Sequence, residues 1–176
     1  MVTLETERLL LRMFREEDFE DYAAIFSDRQ VTRYLGDGEP LSRATAWRSM
    51  AFIVGHWQLR GYGMWAVEER HSGVLIGRIG FFNPEGWPGF EIGWTLKPAY
   101  WGKGYATEGA KAALNYGFSN LDKDHIISLI YPENIRSIKV AQRLGEKLED
   151  KTTLFDKEVL IYGISRETWQ AKIISN

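Results

Sequence analysis

The chain contains no cysteine, which excludes disulfides, thiolate metal ligands and a cysteine nucleophile together. Histidine is scarce: His56, His71 and His125 are scattered without ligand spacing, so no metal site is expected. An excess of one charge is also missing. Lys and Arg number 22 against 24 Asp and Glu, and the net charge of −2 gives no electrostatic basis for binding nucleic acid. No apolar run approaches the roughly 20 residues of a membrane span. The opening MVTLETERLL carries two glutamates instead of the basic-then-apolar pattern of a signal peptide. The expectation is a cytoplasmic protein with no membrane and no nucleic-acid partner.

What is present fits one domain over residues 1–176, with 44% hydrophobic residues to form a core. Arg8 to Phe14 alternates as a strand, and Phe19, Tyr22, Ala23 and Phe26 then recur at helical spacing. Val31 to Tyr34 is short and apolar at alternate positions, followed by the loop GDGEP. Ser42 can cap a helix running to about Arg60, with Trp47, Ala51, Val54 and Trp57 or Gln58 along one side. Tyr62 to Glu68 and Val74 to Phe82 read as a hairpin, and Asn83 to Gly89 as a loop. Ile126 to Tyr131 reads as a buried strand, Asn134 to Leu144 as a helix closed by Gly145, and Lys147 to Ile164 as a second hairpin before a short tail from Arg166.

The rest of the chain is organised around Glu91 to Phe118. Ile92, Trp94 and Leu96 alternate as in a strand, Pro98 ends the ladder, and Ala106, Ala110, Ala113, Leu114, Gly117 and Phe118 form a helical stripe. Between them, Gly102 and Gly104 put an unobstructed turn at a helix N-terminus, whose free amides and dipole suit a phosphate. Lys103 is not followed by Ser or Thr, so the Walker pattern fails; Thr107 stands where a dinucleotide fingerprint needs glycine.

The string YWGKGYATEG, with Asn134-Ile-Arg-Ser137 and Leu144-Gly145 downstream, resembles the GNAT superfamily of acetyl-coenzyme A dependent N-acetyltransferases. The family's phosphate signature (Gln or Arg, two residues, Gly, one residue, Gly or Ala) falls on Trp101, Gly104 and Ala106, with Trp101 in the leading place. The string is most similar to the ribosomal-protein alanine acetyltransferase (RimJ/RimL-type) branch. The resemblance implies an α/β (α+β) GNAT fold, with a mixed, mostly antiparallel central sheet of about seven strands and about four helices. It also implies acetyl-CoA as cosubstrate. The pantetheine arm would lie on backbone groups of Trp94, Thr95 and Leu96, and the pyrophosphate on Trp101, Gly102, Lys103, Gly104, Tyr105, Ala106 and Thr107. Asn134, Ser137 and Arg143 would complete the cofactor side.

Acetyl transfer requires a deprotonated amine, a stabilised oxyanion and a thiolate that can leave. Glu91 is the candidate base; the alternative is a structural carboxylate paired with an arginine such as Arg78. Many members of the family protonate the thiolate with a tyrosine seven residues after the helix asparagine. Ala141 occupies that place here, so Ser137 and then Tyr131 are the substitutes. Trp57, Trp87 and Glu91 are candidates for an aromatic, acidic acceptor pocket suited to a cationic amine. The absence of cysteine favours direct attack in a ternary complex. A non-catalytic acetyl-CoA or CoA sensor and an enzyme using another acyl-CoA stand as alternatives. The acceptor is a small-molecule amine or a protein N-terminal amine, and the chain a monomer or a homodimer paired through its C-terminal hairpin.

Overall fold

The computed structural model describes residues 2–174. Among them are eight strands: β1 (Leu4–Glu5), β2 (Leu9–Arg12), β3 (Met64–Glu69), β4 (Val74–Phe82), β5 (Glu91–Leu96), β6 (His125–Ile130), β7 (Lys147–Leu154) and β8 (Lys157–Ser165). With them are two 3-10 turns, Glu16–Asp18 and Pro98–Tyr100, and six α-helices: α1 (Phe19–Ser27), α2 (Arg29–Thr32), α3 (Arg43–Arg60), α4 (Tyr105–Asn120), α5 (Ile135–Leu144) and α6 (Arg166–Ile174). The strands form one sheet in the order β1-β2-β3-β4-β5-β6-β8-β7. Every neighbouring pair is antiparallel except β5 and β6.

The extra strand and helices correct the expected numbers of about seven and about four. Each has a local cause. β1 is a two-residue partner of β2, too short for any alternation to register. Val31 lies in α2, not in an extended segment, because the Asp28 side chain accepts from the Gln30 amide and starts a helical turn. The tail is α6, held by Trp169, which is buried and donates its indole N–H to Asn115.

β4 separates the two layers of the core. Ile79 and Phe81 face α4, where Gly109 and Gly117 allow close approach: a Cβ at Gly117 would stand 2.5 Å from the Phe81 ring. Arg78, at an alternating position, faces the other way, with its guanidinium over the Phe26 ring of α1 at 4.6 Å. Helix α4 is thus seated on the sheet by glycine contacts, and its N-terminus is fixed at the C-terminal end of β5.

Helix α3 runs as expected from its Ser42 cap to Gly61 (φ +72°), but its inward face is Ala46, Met50, Ile53 and Trp57. Trp47 and Val54 are exposed. The helix carries apolar residues on both sides, so spacing alone does not fix its rotation about its axis. The hairpin of β7 and β8 lies at the sheet edge. Lys147, Glu149, Asp150 and Lys151 on β7 are all exposed, and such a charged edge discourages strand addition by another chain.

Candidate functional site

The site begins with a defect in the sheet. β5 and β6 run parallel but share a single paired position, Glu91 with Ile127, and past it the strands diverge. The C-terminal half of β5 therefore borders a cavity of about 680 Å³. Trp94, Thr95 and Leu96 line it on the strand side, and Trp101, Gly102, Gly104, Tyr105, Ala106 and Thr107 at the turn. Asn134, Ser137 and Arg143 line it from α5. These are the residues the sequence nominated for the cofactor, brought together around one space; Lys103 is the exception and borders an adjoining shallow pocket with Arg143.

The turn has the conformation an anion site needs. Gly102 and Gly104 adopt φ of +73° and +86°, which side chains rarely tolerate. Gly104 is the N-cap of α4 and offers no side-chain cap, so the first amides of a sixteen-residue helix remain directed at the cavity. The turn is braced from behind. Arg8 donates through Nε to Glu108 (2.7 Å) and through a terminal nitrogen to the Lys103 carbonyl (3.0 Å), and its guanidinium lies 4.1 Å from the centre of the Tyr105 ring. Thr6 Oγ1 donates to the same Glu108 carboxylate at 2.6 Å. Sequence reading overlooked this brace; its only signal was an acidic residue in the first turn of α4 facing the basic RLLLR strand.

Several nominated groups prove to be engaged. The Leu96 carbonyl accepts from the Trp101 indole at 2.8 Å, which anchors Trp101 over the end of β5. Asn134 caps α5, its side chain accepting from the Ser137 amide at 3.3 Å. Ser137 Oγ accepts from Trp94 Nε1 at 3.2 Å. The serine hydrogen is therefore not used by Trp94 and can be donated into the cavity. Arg136 stacks over Trp101 at 4.8 Å.

Besides Lys103, four expected site residues do not line this cavity: Trp57, Tyr131, Trp87 and Glu91. Trp57 is buried in the core, donates to the Met64 carbonyl at 2.8 Å and packs edge-on against Trp65. Tyr131 is buried outside the cavity lining, and its hydroxyl donates to the Gly36 carbonyl at 2.8 Å. Its proton is engaged in tying down the loop after α2. That loop and α2 form the cavity's remaining wall through Gln30, Val31, Arg33, Tyr34 and Leu35, a contribution hidden in sequence by the misread helix.

Glu91 sits at the paired end of β5, partly buried and set back from the cavity lining. Trp87 Nε1 donates to its carboxylate at 2.7 Å. Arg78 is not its hydrogen-bond partner; that guanidinium donates to the Tyr22 hydroxyl at 2.7 Å. Desolvation pushes the Glu91 pKa up to about 7, against the opposing pull of Trp87, the Leu129 amide and the charge on Arg78. A carboxyl so placed is half ionised near neutrality and can take a proton from an ammonium group. Among the described residues no cluster of three or more His, Cys, Asp or Glu could hold a metal ion, and no helix is long and apolar enough to cross a membrane.

The profile of the acetyltransferase (GNAT) domain matches residues 8–147. The chain belongs to this family. Among curated relatives, the uncharacterized N-acetyltransferase YnaD of Bacillus subtilis (strain 168) is 35% identical over 149 residues, 83% of each chain. Among solved structures, the acetyltransferase from Agrobacterium tumefaciens str. C58 is 31% identical with a TM-score of 0.83, covering 93% of this chain and 94% of its own. RimL, the ribosomal L7/L12 alpha-N-protein acetyltransferase solved with coenzyme A, has a TM-score of 0.76 at 16% identity, covering 93% and 98%. That last likeness is one of fold. The acetyltransferase described here thus has the expected superfamily, while the RimJ/RimL-type branch does not follow, since its nearer sequence relatives include uncharacterized N-acetyltransferases.

Proposed function

We propose that the chain transfers acetyl from acetyl-CoA to a primary amine by direct attack in a ternary complex. The observation that carries this reading is the single paired position between β5 and β6, opening onto the glycine-bracketed N-terminus of α4. In this reading the amides of residues 102–106 hold the pyrophosphate, and Arg143 and Lys103 supply positive charge beside it. The free backbone groups of β5 hold the pantetheine arm and the acetyl carbonyl.

The amine approaches from the side of Trp87 and loses its proton to Glu91, directly or through a water. Its nitrogen attacks the thioester carbon, the tetrahedral intermediate collapses, and the C–S bond breaks. As the amide forms, the second proton of the attacking nitrogen passes to Ser137, whose own hydrogen goes to the departing thiolate, so the serine ends neutral and the proton on Glu91 is released to solvent. The acceptor is a small amine or a protein N-terminal amine, and the wall of Trp87 with the Glu91 carboxylate suits its cationic form.

The test is acetyl-CoA binding by calorimetry, followed in the same samples by thiol release with a mixed panel of amines. Binding with amine-dependent release supports the transferase. Binding without release favours a sensor, and no binding removes the turn at residues 102–106 as a CoA site. With an active amine in hand, Glu91→Gln is expected to lower kcat about 100-fold or more with acetyl-CoA affinity retained. A rate within about threefold of the parent removes Glu91 from the role of base.

A further inference from the structure

A second carboxyl is buried beside the site. Glu146 follows the Gly145 cap of α5 and is 3% exposed. Its Oε1 lies 3.2 Å from Ser128 Oγ, and its Oε2 is buried without a hydrogen-bond partner. Ser128, itself buried on β6, donates to the carbonyl of Ile92 at 3.1 Å. Ile92 is the residue next to Glu91, so this contact joins the two strands just where their ladder ends.

A serine hydroxyl carries one hydrogen. It cannot fully serve both the Ile92 carbonyl and a Glu146 carboxylate. A carboxylic acid at position 146 removes the conflict: its O–H donates to Ser128 Oγ, and Ser128 donates onward to Ile92. An ionised Glu146 would instead be a buried charge with at most a shared hydrogen bond, which is strongly disfavoured.

The neighbouring carboxyls act in the same direction. Glu91 on β5 and Glu149 on β7 both repel a negative charge there. Glu149 is itself paired with His125 of β6 at 2.9 Å. Arg78 of β4 acts on Glu91, Tyr162 of β8 is opposite Ser128 in the ladder, and Lys147 is the next residue on β7. Lys172 of α6 donates to the Arg143 carbonyl at 2.9 Å.

We propose that Glu146 is the proton-keeping member of a carboxyl pair with Glu91. It is a positioning residue that stays neutral, aligns Ser128 on the Ile92 carbonyl, and leaves the single negative charge of the pair on Glu91. The functional meaning of the pair rests on Glu91 as the base. Division of one charge between two neighbouring carboxyls fixes which of them accepts a proton.

The test is a carbon-13 NMR titration of the glutamate side-chain carboxyls in the full chain, comparing wild type, E146Q and E91Q. Wild type is expected to show two glutamates titrating above about pH 6, each identified by its loss in one variant. In E91Q the Glu146 midpoint is expected to fall by about half a unit or more, since its like-charged neighbour is gone. A Glu146 titrating below about pH 5.5 in wild type, or a midpoint unmoved in E91Q, overturns the proposal.

A kinetic comparison adds a readout that simple loss of packing would not give. E146Q keeps a neutral donor and is expected to hold kcat within about twofold, whereas E146M, which cannot donate to Ser128, is expected to lose about tenfold. Equal losses in the two variants overturn the positioning role. The titration does not depend on activity, so a chain that shows the pair but releases no thiol would defeat the transferase reading and leave the pair standing.

Discussion

Trp87 donates its indole N–H to the Glu91 carboxylate at 2.7 Å, and that bond opposes the burial that raises the acid's pKa. The loop preceding β5 therefore tunes the first residue of β5. Trp87→Phe keeps an aromatic ring at this position and removes the donor. Because the bond favours the ionised form, its loss moves the Glu91 pKa further up, and the acid limb of kcat/KM shifts to higher pH by about 0.5–1 unit. A pH profile recorded with an active amine checks this, and a shift to lower pH would contradict it.

Gly104 tests the anion site without touching any side chain that contacts a ligand. With φ at +86°, and with Arg8 Nη2 3.4 Å from where a Cβ would stand, alanine at this position strains the turn that presents the α4 amides. Gly104→Ala is expected to weaken acetyl-CoA binding about tenfold or more by calorimetry. Gly73, in the turn between β3 and β4, also has positive φ, and a Cβ there would meet nothing within 4 Å, so Gly73→Ala serves as a strained control expected to leave Kd nearly unchanged.

Arg12 is the centre of a buried ionic cluster remote from the cavity. It forms a two-pronged contact with Asp18 at 2.7 and 2.8 Å and donates through Nε to Glu68 at 2.7 Å, with both acidic partners holding its pKa above the ordinary value. Arg12→Ala strands two carboxylates and is expected to cost about 3–5 kcal/mol in urea unfolding. Arg12→Lys restores the charge without the fork and should recover only part of the loss.

Glu91 and Glu146 also predict how stability depends on pH. Both have folded pKa values raised by burial, to about 7 and about 8. Below the unfolded value of about 4.3 both states are protonated; as pH rises, the unfolded chain ionises first and is favoured until the folded pKa is passed. Stability is therefore lost between about pH 5 and pH 8. Thermal melts should show Tm falling by roughly 5 °C or more across that window, and E146Q should flatten the decline. A Tm that rises from pH 5 to pH 8 would contradict the assignment.

What the sequence disclosed and what it hid follow from how far each determinant reaches along the chain. The turn at Gly102 and Gly104, the Ser42 and Asn134 caps, and the alternation of β5 are set by a few adjacent residues, so they were legible. The rotation of α3 was not, because Trp47 and Val54 on its exposed side are as apolar as Met50 and Ile53 on its buried side. Tyr131 and Trp57 are aromatic in any reading; only the fold shows that one ties a loop and the other fills the core. Glu146 was hidden most deeply. In GEKLED it looks like one more solvated charge, and its burial follows only from packing the end of α5 over β6.

The lone pairing of Glu91 with Ile127 also has a mechanical side. Six of the sheet's seven ladders pair at two or more positions, but at the seventh the sheet is two plates joined along a short seam, β1 to β5 on one side and β6, β8 and β7 on the other. A hinge of that kind concentrates compliance in one place. An extended ligand laid in the opening would act as a splint, turning the seam from the most yielding line in the sheet into a braced joint.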